Sequence, residues 1–149
     1  MTASSIYLPR ILRIGAGASS QLADVLSEMG LLRPLLVSDP FMLQCGYVDK
    51  IADGLKEANL AFGLFTDCVP DPTTDSIAAA MASWQQGNYD SVVALGGGSS
   101  IDTAKALAVL AVHGGKMRDY KAPNPVPVGV PIIAIPTTAG TGSEATRVT

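Results

Sequence analysis

Four short runs of this chain are apolar almost from end to end: Pro34–Ser38 (PLLVS), Ala61–Phe65, Ser91–Leu95 (SVVAL) and Pro131–Pro136 (PIIAIP). A strand with one face in water alternates apolar and polar residues. An unbroken apolar run is covered on both faces, as in a parallel sheet between layers of helix. The segments between these runs repeat at helical spacing. Leu22, Val25, Leu26 and Met29 share one face of a helix over Gln21–Met29, with Gly30 as its stop. Val48, Ile51, Ala52 and Leu55 make a second stripe. Ile77, Met81 and Trp84 make a third, capped by Thr73 or Thr74 and ending near Gly87. Ile101–Val112 is a further helix, ending at Gly114-Gly115. Ile6–Ile14 reads as an extended segment broken at Pro9, and a proline-rich connector, Ala122–Val130, leads into the last strand. The pattern predicts an α/β fold of the doubly wound type, a parallel sheet with helices on both faces.

A chain of 149 residues with 48% hydrophobic and 15% charged residues can bury a real core and is no disordered tail. Its net charge is -3 and it has no run of Lys and Arg, which argues against a nucleic-acid partner. Cys45 and Cys68 are isolated, with neither zinc-ligand nor redox-pair spacing. The first residues lack a basic patch followed by an apolar stretch. The most apolar helix, Ile101–Val112, carries Asp102 and Lys105 and is too short to span a bilayer. The expectation is a cytoplasmic protein without membrane contact.

Chemistry concentrates in two loops. The first, Gly96-Gly97-Gly98-Ser99-Ser100-Ile101-Asp102, follows SVVAL and opens a helix. Glycine lets the backbone approach a ligand closely, and a helix N-terminus offers free N–H groups and a positive dipole end. Together they suit a phosphate. Ser99 and Ser100 can cap the helix, donate to a phosphate oxygen, or both. The loop departs from G-x-G-x-x-G because Ile101 stands at the third glycine, and no Gly-Lys-Ser/Thr follows as in a Walker A loop. Asp102 and Lys105 can serve as a local helix pair, or Asp102 can shape the loop around a cofactor.

The second loop, Pro136-Thr137-Thr138-Ala139-Gly140-Thr141-Gly142-Ser143-Glu144, also follows an apolar strand directly. In a doubly wound sheet, loops at the carboxyl ends of parallel strands form the ligand crevice, so both loops would share one edge. Asp39, just after PLLVS, can make a Ser38-Asp39-Pro40 turn. It can also accept hydrogen bonds from adenosine ribose hydroxyls, which would favour NAD over NADP. Pro70-Asp71-Pro72-Thr73 is a rigid loop ahead of a helix. His113, the one histidine, lies near a helix C-terminus and faces solvent; one histidine cannot build a multi-histidine metal site.

GGGSSIDTAK (Gly96–Lys105), followed some thirty residues on by PTTAGTGSE (Pro136–Glu144), resembles the iron-containing, group III alcohol dehydrogenases. The PDPT segment and Asp39 fit too. The glycine motif is shared with glycerol dehydrogenases and dehydroquinate synthases, which have a similar fold; PTTAGTGSE is more specific. The resemblance implies a Rossmann-like N-terminal domain that holds NAD(P), here residues 1–149, and an all-helical metal domain outside this chain. It implies that Gly97, Gly98, Ser99 and Asp102 lie along the pyrophosphate. Thr138 and Thr141 would reach the phosphate and nicotinamide side, and Asp39 would face the adenosine ribose. Asp71 stands where many members have asparagine near the ribose.

The family's metal ligands, one aspartate and three histidines for Fe2+ or Zn2+, would belong to the full-length protein only. The metal there polarises the alcohol oxygen while NAD takes the hydride. The implied activity is NAD-dependent interconversion of a small primary or secondary alcohol and its aldehyde or ketone. This chain would supply the cofactor half and be inactive alone. The alternatives are an isolated nucleotide-binding domain without turnover and a related glycerol dehydrogenase-like enzyme. Ala145–Thr149 reads as the start of a further extended segment, so a fragment is expected. An apolar docking face left exposed would favour a homo-oligomer or aggregation.

Overall fold

The computed structural model describes residues 9–121 and 124–145. Positions 6–8 of the expected N-terminal extended segment lie outside them, as do 122–123 of the connector and 146–149 at the end. The described part of the first segment, residues 9–14, carries no strand. An ion pair between Arg13 and Glu28 ties it to the first helix.

Four strands form one parallel sheet: β1 (Pro34–Val37), β2 (Gly63–Phe65), β3 (Ser91–Gly96) and β4 (Ile132–Pro136), in the order β2-β1-β3-β4. Among the described residues, five α-helices connect or flank them: α1 (Leu22–Met29), α2 (Pro40–Gln44), α3 (Tyr47–Glu57), α4 (Thr74–Gln85) and α5 (Gly98–His113). β1 and β3 are buried from end to end, as expected of strands covered on both faces; β2 leaves Leu64 exposed and β4 is only half-buried, so the expectation fails at the two sheet edges. Leu36, Val93 and Leu95 pack with Leu26, Val48, Ile51 and Leu55 of α1 and α3. Their strand neighbours Leu35, Val37, Val92 and Ala94 pack with Ala80 of α4 and with Ile101, Ala104 and Leu107 of α5. Successive strand residues thus enter opposite cores. Each fully buried Leu or Val contributes about 1.5–3 kcal/mol over its exposed form.

The chain leaves β1 toward β2 on one side, then returns to β3 and continues to β4 on the other. With right-handed crossovers, that reversal puts α3 and the pair α4 and α5 on opposite faces. A crevice opens where the direction reverses, between the carboxyl ends of β1 and β3.

Local signals set the helix ends. Gly30 closes α1 in the left-handed region, its N–H returned to the carbonyls of Leu26 and Ser27. Thr73 caps α4 through a reciprocal box with Ser76. The short helix α2 was not foreseen; Asp39 is its N-cap and Pro40 its first residue, where a missing N–H costs nothing. α5 begins at Gly98, a turn earlier than the apolar stripe suggests. His113 is exposed as expected, with Nε2 2.8 Å from the Val128 carbonyl oxygen. The connector lies directly on α5: the Val130 N–H donates to the Ala108 carbonyl at 3.1 Å.

Candidate functional site

The crevice at the reversal point encloses about 760 Å³. Its walls come from the segments that follow all four strands. Asp39, Pro40 and Phe41 follow β1, Cys68 to Pro70 follow β2, and Gly97 to Ser100 follow β3. Thr137 and Thr138 after β4 complete it. Strand pairing sets the loops side by side: Gly96 pairs with Pro136, and the Thr137 N–H donates to the Gly96 carbonyl at 2.9 Å.

Glycine is required at 96 and gives close neighbours space at 97 and 98. Gly96 has φ +144, and a Cβ there would fall 2.5 Å from Ser100 Oγ and 3.1 Å from Asp39 Oδ2. A Cβ on Gly97 would lie 3.0 Å from Thr138 Oγ1, and one on Gly98 3.3 Å from Ser143 Oγ. The two motif loops are therefore packed closely against each other at Gly97 and Gly98.

The start of α5 differs from the starts of α2 and α4. Those two helices have side-chain caps, Asp39 Oδ1 to the Met42 N–H and Thr73 Oγ1 to the Ser76 N–H. The N-cap of α5 is Gly97, in extended conformation and with no side chain to accept the first-turn N–H groups. That end, with its positive dipole, opens on the crevice and suits an anion.

Five of the eight residues that the family resemblance assigns to the cofactor line the crevice together: Asp39, Gly97, Gly98, Ser99 and Thr138. Both readings of Asp39 bear on one side chain, since the carboxylate caps α2 and also stands on the crevice wall. Ser100 donates to its Oδ2 at 3.4 Å, a link the sequence offered only as a serine near a helix start. Three of the residues are not on this wall. Thr141 sits behind Gly98, its Cβ 3.7 Å from where a Gly98 Cβ would be. Asp71 is exposed on the preceding loop in the left-handed region, φ +49, a conformation that Asp tolerates better than most residues. Asp102 turns toward Lys105, with Oδ1 3.8 Å from Nζ. Phe41 and Val69 are crevice residues that sequence reasoning missed, and Pro70 is one that it read only as part of a rigid loop; nothing local marks them before the fold brings the strand ends together.

Two groups here titrate away from their ordinary values. Burial pushes the Cys68 thiol up to about 11, against hydrogen bonds with Thr103 and Ser100 that pull it down. Burial lowers the Lys105 ammonium, opposed by the charges of Asp102 and Glu144. Among the described residues, no group of three or more His, Cys, Asp or Glu side chains could hold a metal ion. No helix among them is long and apolar enough to cross a membrane.

Comparison with known proteins gives a consistent picture. The family model described as iron-containing alcohol dehydrogenase matches residues 9–149. The NAD-dependent methanol dehydrogenase of Bacillus methanolicus is 39% identical over 145 residues, which are 96% of this chain and 38% of that protein. The long-chain-alcohol dehydrogenase 1 of Geobacillus thermodenitrificans is 36% identical, over 99% of this chain and 38% of that one. Among solved structures, sulfoacetaldehyde reductase from Bifidobacterium kashiwanohense in complex with NAD+ superposes with a TM-score of 0.86 at 32% identity. That match covers 98% of this chain and 39% of the other. The chain thus spans well under half the length of these relatives.

Proposed function

The chain belongs to the iron-containing alcohol dehydrogenase family, and from that premise we propose that it binds NAD in the crevice between β1 and β3. It would serve there as the cofactor-holding part of an enzyme that interconverts a small primary or secondary alcohol and its aldehyde or ketone. One observation carries the reading: α5 starts with a glycine N-cap at the switch point of a parallel sheet, its first N–H groups open to the crevice.

The pyrophosphate would lie over Gly97, Gly98 and Ser99, whose backbone has no Cβ to hold it off at the first two positions. Thr138 stands across the loop to donate its hydroxyl from the other side. Thr141 supports Gly98 from behind. Asp39 would accept from the adenosine ribose hydroxyls and repel a 2′-phosphate, so NAD is preferred to NADP. Asp71 approaches the same ribose only if its loop turns inward, and Asp102 acts on the loop through the helix rather than on the cofactor. Bound NAD supplies a nicotinamide ring that takes up or returns a hydride. The described residues do not fit a metal, so the Fe2+ or Zn2+ of a whole enzyme finds no ligand set in them and no step is assigned to one.

The reading is tested by titrating the chain with NADH and following nicotinamide fluorescence, with ADP-ribose as competitor. Saturable binding that ADP-ribose displaces is expected. Absence of both would overturn the cofactor assignment.

A further inference from the structure

β1 and β3 run in register as far as Val37 and Ala94. One residue on, the link between them is made by a side chain: the Ser38 hydroxyl donates to the Leu95 carbonyl at 2.7 Å. Ser38 is fully buried, where a hydroxyl is costly unless it is hydrogen-bonded. Its backbone is engaged on the other side of the strand. The Ser38 N–H donates to the Phe65 carbonyl at 2.9 Å, and the Cys68 N–H donates to the Ser38 carbonyl at 3.1 Å. One residue thus joins the ends of β1, β2 and β3. Just beyond it the chain paths part. β3 turns at Gly96, φ +144, and keeps its bond to Thr137 after β4. β1 passes into α2 with Asp39 as N-cap. Asp39 Oδ2 then stands 3.1 Å from where a Gly96 Cβ would lie.

We propose that Ser38 is a positioning residue for the crevice. Its hydroxyl carries the sheet one rung past the point where the two backbones diverge, so the crevice opens without orphaning the Leu95 carbonyl. It thereby fixes the end of β1, and with it Asp39, against Gly96 and the first turn of α5. The consequence for ligand binding rests on the cofactor reading above; the bridge itself does not.

The test uses three variants of one side chain. Ser38→Ala removes the donor, Ser38→Cys keeps the shape with a weak donor, and Ser38→Thr keeps the hydroxyl. Amide hydrogen exchange is measured without cofactor at residue 38 and at Cys68, with Leu36 and Val93 as references. In Ser38→Ala, exchange at the two amides should rise about tenfold while the references hold. NADH and NADPH are then titrated by fluorescence below the melting range of each variant. Ser38→Ala should weaken NADH about tenfold and NADPH by no more than about twofold, because Asp39 is no longer held to accept from the ribose or repel a 2′-phosphate. Ser38→Cys should fall between, and Ser38→Thr should stay within about threefold of wild type on both cofactors. The double variant Ser38→Ala/Asp39→Asn should discriminate no worse than Asp39→Asn alone. A fold merely loosened would weaken both cofactors in proportion. That result, unchanged exchange, or raised exchange with an unchanged cofactor ratio would each overturn the positioning role. If Ser38→Ala does not fold, Ser38→Cys decides alone. If the wild-type chain binds neither cofactor, the cofactor reading falls, and exchange still judges the bridge.

Discussion

The Ser100 hydroxyl donates to Oδ2 of Asp39 across 3.4 Å, while Oδ1 of the same carboxylate accepts the Met42 N–H at 3.0 Å. One side chain therefore caps α2 and touches the first turn of α5, at the junction of β1 and β3. Its structural role and its proposed ligand role can be separated. Asn caps a helix about as well as Asp, so Asp39→Asn should change stability by less than about 0.5 kcal/mol. It removes the charge that repels a 2′-phosphate, so the NADPH to NADH affinity ratio should rise several-fold. Asp39→Gly should raise it as well. Parallel fluorescence titrations with the two cofactors check this, and an unchanged ratio in both variants would sink the NAD preference.

Gly96 and Gly97 should fail in different ways when given a side chain. At Gly96 the backbone sits at φ +144 and a Cβ would overlap Ser100 and Asp39, so Gly96→Ala should cost about 1–3 kcal/mol in folding. Gly97 has φ -81, open to any residue, and meets only Thr138 Oγ1. Gly97→Ala should leave the melting temperature close to wild type and weaken NADH about tenfold or more, by holding the phosphate off the helix end. Thermal melts and titrations on the same two proteins test the contrast.

Gly129 lets the connector lie on the backbone of α5. A Cβ there would come within 2.5 Å of the Ala108 carbonyl carbon and oxygen, atoms that cannot rotate away. Gly129→Ala should destabilise the fold by about 1–3 kcal/mol, seen as a lower urea midpoint with the slope unchanged.

Asp90 links the starts of β1 and β3. Burial raises its pKa, but the Leu32 N–H at 2.6 Å, the Ser91 hydroxyl at 2.7 Å and the Arg33 N–H at 3.0 Å outweigh that and leave it lowered. A group held below its unfolded value adds stability that is complete above the unfolded pKa. That stability is lost as pH falls through the folded one. Unfolding free energy should decline on acidification through the carboxylate range, and Asp90→Asn should flatten this decline.

The two thiols should report the crevice. Cys45 is exposed, whereas Cys68 is buried and titrates near 11. At pH 8 a thiol reagent should modify one cysteine per native chain and both after denaturation. Two fast equivalents in the native protein would contradict the burial of Cys68 in the crevice wall.

Much of this architecture was legible in advance because it depends on periodicity. The unbroken apolar runs of β1 and β3 read as strands covered on both faces and are so, and the stripe of Val48, Ile51, Ala52 and Leu55 is buried to the last residue. The two loops were legible too, since glycine beside a strand end has few other uses. Less legible was anything set by a partner distant in sequence. The helix α2 is five residues long, too short for a periodic signal, and exists because Asp39 caps it. Asp102 and Lys105 read either as a local helix pair or as part of the loop around a cofactor; that the Lys105 side chain is only 14% exposed is visible in the structure alone.

The class of fold and the two loops that carry chemistry follow from residue order alone, because hydrophobic period and glycine content are local properties that survive any arrangement of the elements. The tertiary structure alone decided that β1 and β3 are neighbours. That adjacency brings Asp39 to Ser100 and opens the crevice at the reversal point. Strand order is fixed by how two layers of helices share one sheet, a competition among long-range packings that no local pattern records.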